Sequence, residues 1–140
     1  MNARAFGWRN RLFGWSLMLV GILGGMALGV WVFDGPIPAP ARFADYASLP
    51  RRLLRFSHIA AMALGMVNIL YGHEIDRLRL SERARRIGSE SMIVSGVLMP
   101  IVLLLAAFQI GWKWGLPVPA MAAFVAMAIL VRGFLNGEAA

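Results

Sequence analysis

The chain has two imidazoles, His58 and His73, and they stand near the two ends of one stretch, "RFSHIAAMALGMVNILYGHE", whose residues 56–73 carry no Asp, Glu, Lys or Arg. An imidazole can hold a metal, form hydrogen bonds or move a proton. At the helical rise the two rings lie roughly 22 Å apart, so they cannot ligate one metal ion. His58 by itself could be the axial ligand of a flat macrocycle. A b-type haem with two axial ligands would also need Met62, Met66 or a second subunit, whereas a chlorophyll-type magnesium needs one nitrogen. Ala61 and Gly65 beside His58 leave room for such a ring. Small residues are equally what helix packing requires, and the competing reading is a boundary histidine bonded to a carbonyl or a lipid phosphate. His73 and Glu74 lack the HExxH spacing of a zinc site and read, with Arg77, as a solvated ion-pair cluster.

Other chemistry is thin. Without cysteine there is no disulfide, no thiolate metal site and no covalently attached c-type haem. No Ser/His/Asp arrangement, phosphate loop or pair of intramembrane carboxylates is present, so catalysis by this chain alone is not expected, nor is a metal centre. The nine methionines are scattered through apolar runs and read as gap fillers.

The elements that carry these residues follow from composition. The chain is 59% hydrophobic and 15% charged, with a mean hydropathy of +0.67, which suits a bilayer better than water. Apolar runs predict spans at about 12–33, 53–73, 91–112 and 117–135, an all-α integral-membrane four-helix bundle forming a single domain. The first run is 22 residues long, beyond a secretory h-region, and is read as a retained span despite "APA" at 39–41.

Thirteen arginines and one lysine give a net charge of +7, and they concentrate at span ends and in one loop. Anionic lipid head groups account for that placement, and nucleic acid is not expected as a partner. With the amino terminus inside, nine basic residues fall on the inner face (Arg4, Arg9, Arg11, five in 74–90, Arg132) against five outside. This favours both termini in the cytoplasm of a bacterial inner membrane, with 34–52 periplasmic and 74–90 cytoplasmic. Arg51, Arg52 and Arg55 stand at a helix amino terminus, where the dipole disfavours cations, and call for lipid phosphate or an acidic partner surface. The five tryptophans fall near span boundaries, as interfacial anchors do.

Pro36, Pro38 and Pro40 predict an extended, semi-rigid first loop, and Ser48 with Pro50 a helix start. Charge spacing over 74–90 (Asp76 with Arg79, Glu82 with Arg85 and Arg86) predicts that the second helix projects from the membrane and breaks near Gly88, with Ser89 or Ser91 capping the third. Pro100 predicts a kink. For packing, Gly21, Gly25 and Gly29 form two overlapping GxxxG steps, and His58, Ala61, Gly65, Asn68 and Gly72 share one side of the second helix.

"SLPRRLLRFSHIA" is similar to helix entrances in small membrane subunits of bacterial respiratory or photosynthetic assemblies, over roughly a dozen residues, and no site is transferred from it. In size and span count the chain also resembles the small multidrug-resistance transporters, but it lacks the intramembrane carboxylate that proton coupling needs. The expected function is therefore an accessory or scaffolding subunit docked against other integral-membrane subunits. A haem- or chlorophyll-binding protein using His58 is the alternative.

Overall fold

The computed structural model describes residues 5–31 and 35–137. Arg4 of the charge balance and the last residues of the first expected span lie outside the described residues. Four helices build the molecule: α1 (Ala5–Gly29), α2 (Leu49–Glu74), α3 (Glu82–Phe108) and α4 (Pro117–Leu135). All four are long and apolar enough to cross a membrane, and the chain is a multi-pass membrane protein. No strand element occurs among the described residues. The 26 residues of α2 correspond to about 39 Å, longer than the ~30 Å of hydrocarbon.

Two helix starts fall well outside the apolar runs, and the end of α2 departs from the expected break near Gly88, because caps and packing set them rather than hydropathy. α1 begins at Ala5 instead of Leu12, and the Gly7 amide in its first turn donates to Asp76 Oδ1 at 3.3 Å. A carboxylate at that position meets orphan amides and the positive end of the helix dipole. α2 does not continue toward Gly88; it stops at Glu74. α3 starts at Glu82 behind a Ser81 cap whose hydroxyl accepts from Ala84 N at 3.2 Å. Gly88, Ser89 and Ser91 therefore lie within α3, where Gly88 makes room for the Tyr71 hydroxyl rather than ending a helix. The charge pairs change accordingly. Asp76 faces Arg11 at 3.9 Å, Arg85 donates to Leu78 O at 2.8 Å, and Arg86 pairs with Glu90 at 3.1 Å.

Consecutive helices run antiparallel: α1 packs on α2, α2 on α3 and α3 on α4. α1 and α4 occupy opposite flanks. Ala5, Glu74, Glu82 and Leu135 thus share one end of the bundle, the terminal end, and Gly29, Leu49, Phe108 and Pro117 share the far end.

Glycines set the α1–α2 contact at seven-residue intervals. A methyl group added to Gly7 would meet Gly72 O, one on Gly14 would lie 2.5 Å from Gly65 O, and one on Gly21 would lie 3.1 Å from Met62 N and 3.4 Å from His58 O. The paired positions, 7 with 72, 14 with 65 and 21 with 58, keep a constant antiparallel register. A strict seven-residue repeat holds a single seam between two helices when they supercoil left-handedly. Because lipid is as apolar as the side chains, such close backbone approach supplies the attraction that hydrophobic burial supplies in water.

A buried polar bridge adds to it. Asn10 and Asn68 are fully buried, and Asn10 Nδ2 donates to Asn68 Oδ1 at 3.0 Å and to Ser89 O at 3.3 Å. Asn68 Nδ2 donates to Met92 O at 3.3 Å, and the Ser89 hydroxyl donates to Asn10 Oδ1. Tyr71 OH reaches Ala126 O at 3.3 Å, so side chains of this layer link all four helices.

Candidate functional site

Toward the far end the helices diverge. Continuing the register, position 28 is Leu and position 51 is Arg, so the glycine seam ends at Gly21 and His58. Beyond that point α1 and α3 stand apart over α2 as floor, leaving a groove of about 510 Å³, within the ~300–1,000 Å³ range of small-molecule sites. Leu17, Val20, Gly24, Ala27, Leu28 and Trp31 line one wall, Val97, Pro100, Ile101, Leu104 and Phe108 the other, and Leu54, Ser57, His58 and Ala61 the floor.

The groove floor contains two polar side chains, and the Trp31 indole adds an N–H at the far end. Ser57 is committed, since its hydroxyl donates to Pro100 O at 2.8 Å across the α2–α3 contact. His58 is free. Its ring edge lies against Gly25, where an added methyl would sit 3.4–3.6 Å from Cε1, Nδ1 and Nε2. Nδ1 is buried and has no hydrogen-bond partner. That leaves Nε2 as the accessible ring nitrogen on a half-buried side chain.

Arg51, expected to meet lipid phosphate or an acidic partner surface, instead turns inward at the far end, onto backbone carbonyls. It is 7% exposed. Nη1 donates to Phe43 O at 2.9 Å and Ala44 O at 3.1 Å, and Nη2 to Trp31 O at 2.6 Å. The carbonyl-rich end of α1 and the folded-back loop thereby offset the unfavourable cation at the α2 amino terminus. Loop residues Ala41–Phe43 form a 3-10 turn that buries Phe43, stacked on Trp31 at 6.0 Å and edge-on to Phe108 at 5.4 Å. Arg55 lies over the Tyr46 ring, 3.9 Å from its centroid, and Arg52 is exposed.

Among the small residues expected to pack, Ala61, Gly65 and Gly72 are buried against neighbouring helices, and Gly21 abuts Met62. Gly25 faces the His58 ring. Gly29 is the exception, exposed with nothing within 4 Å of an added methyl, because α1 has left the seam there. Gly7, Gly14 and Asn10 were not singled out from sequence. They precede or open the first apolar run, and only the seven-residue spacing Gly7–Gly14–Gly21 marks the two glycines, with nothing in the sequence to mark Asn10. Asn10 also joins Asn68 as an intramembrane carboxamide, while Gln109 is exposed at the end of α3. His73 is exposed, and Glu74 pairs with Arg77 at 3.7 Å. No group of three or more His, Cys, Asp or Glu side chains able to hold a metal ion occurs among the described residues.

Comparison with protein-family models, curated proteins and solved structures yields no match to this chain.

Proposed function

We propose that this protein is a small accessory subunit of a larger bacterial inner-membrane complex, energy-transducing in character, with both termini in the cytoplasm. The observation that carries this reading is the outward face of α4. The helix packs chiefly on α3, meets α2 only in its second half, and turns Ala120, Met121, Phe124, Met127 and Ala128 away from the bundle. Alanines facing acyl chains contribute little, whereas on a helix surface they permit another helix to approach, and methionine adapts to an irregular partner. α1 offers a similar unpartnered face with Trp15, Leu19, Ile22 and Met26. Partners would be other integral-membrane subunits, with Arg52 and other exposed arginines meeting anionic head groups.

The test is extraction from native membranes in a mild detergent, followed by native mass measurement and identification of co-purifying chains. Defined membrane subunits should accompany the wild type and be lost from Ala128→Trp. Recovery of the wild type solely as a lipid-bound monomer would refute the reading.

The groove favours a second reading, a haem- or chlorophyll-type macrocycle on His58. Its geometry is incomplete in one respect. Metal-bound imidazoles nearly always donate their second nitrogen to an acceptor, and His58 Nδ1 has none.

A further inference from the structure

We infer that the groove between α1 and α3 binds the ring of a prenylated quinone, with His58 Nε2–H donating to one ring carbonyl. The inference starts from the tautomer. A buried N–H without an acceptor is among the rarest features of folded proteins, and an unshared lone pair is tolerated better. With Nδ1 buried and unpartnered, the neutral ring places its proton on Nε2. Apart from the Trp31 indole at its far end, the groove thus offers His58 as its free hydrogen-bond donor in an otherwise apolar slot, because the Ser57 proton is already given to Pro100 O. A donor of this kind selects an oxygen acceptor rather than a metal, which would need the same nitrogen bare.

Depth selects among acceptor-bearing lipids. Gly25, against which the ring lies, is six residues short of Trp31, roughly 9 Å along the helix axis. Trp31 lines the far end of the groove, the end expected at the membrane boundary, where an interfacial aromatic would stand. Phospholipid ester carbonyls belong to the polar interfacial layer, and reaching His58 would draw them into hydrocarbon. A quinone ring dissolves at that depth and carries a carbonyl there, its isoprenoid tail continuing between Leu17 and Val97 or out into lipid. The floor and near wall at Ala61, Gly21 and Gly24 are low enough to admit a flat ring. Only binding is inferred, with no electron transfer, and it stands whether or not the chain joins a larger assembly.

The experiment uses the full chain in lipid nanodiscs and, as probe, a benzoquinone bearing two isoprene units. Binding is followed by quenching of tryptophan emission, and the ring nitrogens by ¹⁵N-histidine spectra of the His73→Gln background. Saturable binding is expected, with Nδ1 unprotonated and Nε2 shifting as quinone is added. His58→Phe should weaken binding about tenfold, the loss of one hydrogen bond. His58→Gln, which retains an N–H donor, should stay within about threefold of wild type by the same reasoning. Ala27→Trp fills the groove from an exposed wall position and should abolish binding, and Leu104→Trp on the facing wall gives the same reading if the first variant does not fold. The inference is overturned by absence of saturable binding to the folded wild type, by equal binding to His58→Phe, by a protonated Nδ1, by equal competition from a fatty-acid ester, or by a metal macrocycle co-purifying in a His58-dependent manner.

Discussion

From Gly7 to Gly21 the first two helices meet backbone to backbone; from Leu28 onward the same two helices are separated by side chains and border an open groove. The difference arises at four paired positions of one register, Gly7–Gly72, Gly14–Gly65, Gly21–His58 and Leu28–Arg51. Where both partners are glycine the helices close, where one is histidine they begin to part, and where neither is small they stand apart. The closed half is further tied by the Asn10–Asn68–Ser89 bridge. The open half depends on one guanidinium that gathers three carbonyls from α1 and the loop. Close packing and open space are thus divided along the bundle axis, one half holding the glycine seam and the other the groove.

This contrast can be broken most severely in the closed half. Gly14→Leu would drive a side chain into Gly65 O and Ile69, with backbone on the opposing helix unable to yield. A loss of about 3 kcal/mol or more is expected, read as reduced resistance to unfolding in mixed micelles. Arg51→Met should cost about 2 kcal/mol, since charge-assisted bonds to three carbonyls disappear. Limited proteolysis should then cut within residues 35–48 while the α1–α2 seam stays protected. Asn10→Ala removes one arm of the polar bridge and should cost about 1 kcal/mol, near the modest value of interhelical hydrogen bonds in bilayers. Gly29→Ala should change stability by no more than about 0.5 kcal/mol, or raise it slightly through helix propensity. A large loss at Gly29 would mean that a partner helix occupies that side.

The four spans were legible because hydropathy alone fixes which segments can enter a bilayer, and the fourth helix and the start of the second were placed within a few residues of their observed limits. The third helix was not, because charged residues over 82–90 concealed about two and a half turns that Ser81 caps and Gly88 packs. GxxxG is a local pattern visible within one helix. The seam that forms repeats every seven residues, and its meaning lies in the opposing strand of glycines on α2, which no single helix discloses. The inward turn of Arg51 is hidden for a related reason. From sequence it is one of three cations at a helix start, and only the return of Phe43 and Ala44 over the helix end shows that its partners are carbonyls. His58 is marked by its chemical type, but the burial of Nδ1 and the contact of its ring with Gly25 depend on how α1 passes over α2.

The constant register has a consequence for how such a chain can change over time. Deleting a single residue between Gly7 and Gly21 would swing everything beyond it by about 100° around the α1 axis and carry the later glycines away from their partners. Length variation in this hairpin should therefore be confined to whole blocks of seven matched on both helices, whereas the loop at 35–48 is free to gain or lose residues one at a time as long as it still delivers two carbonyls to Arg51.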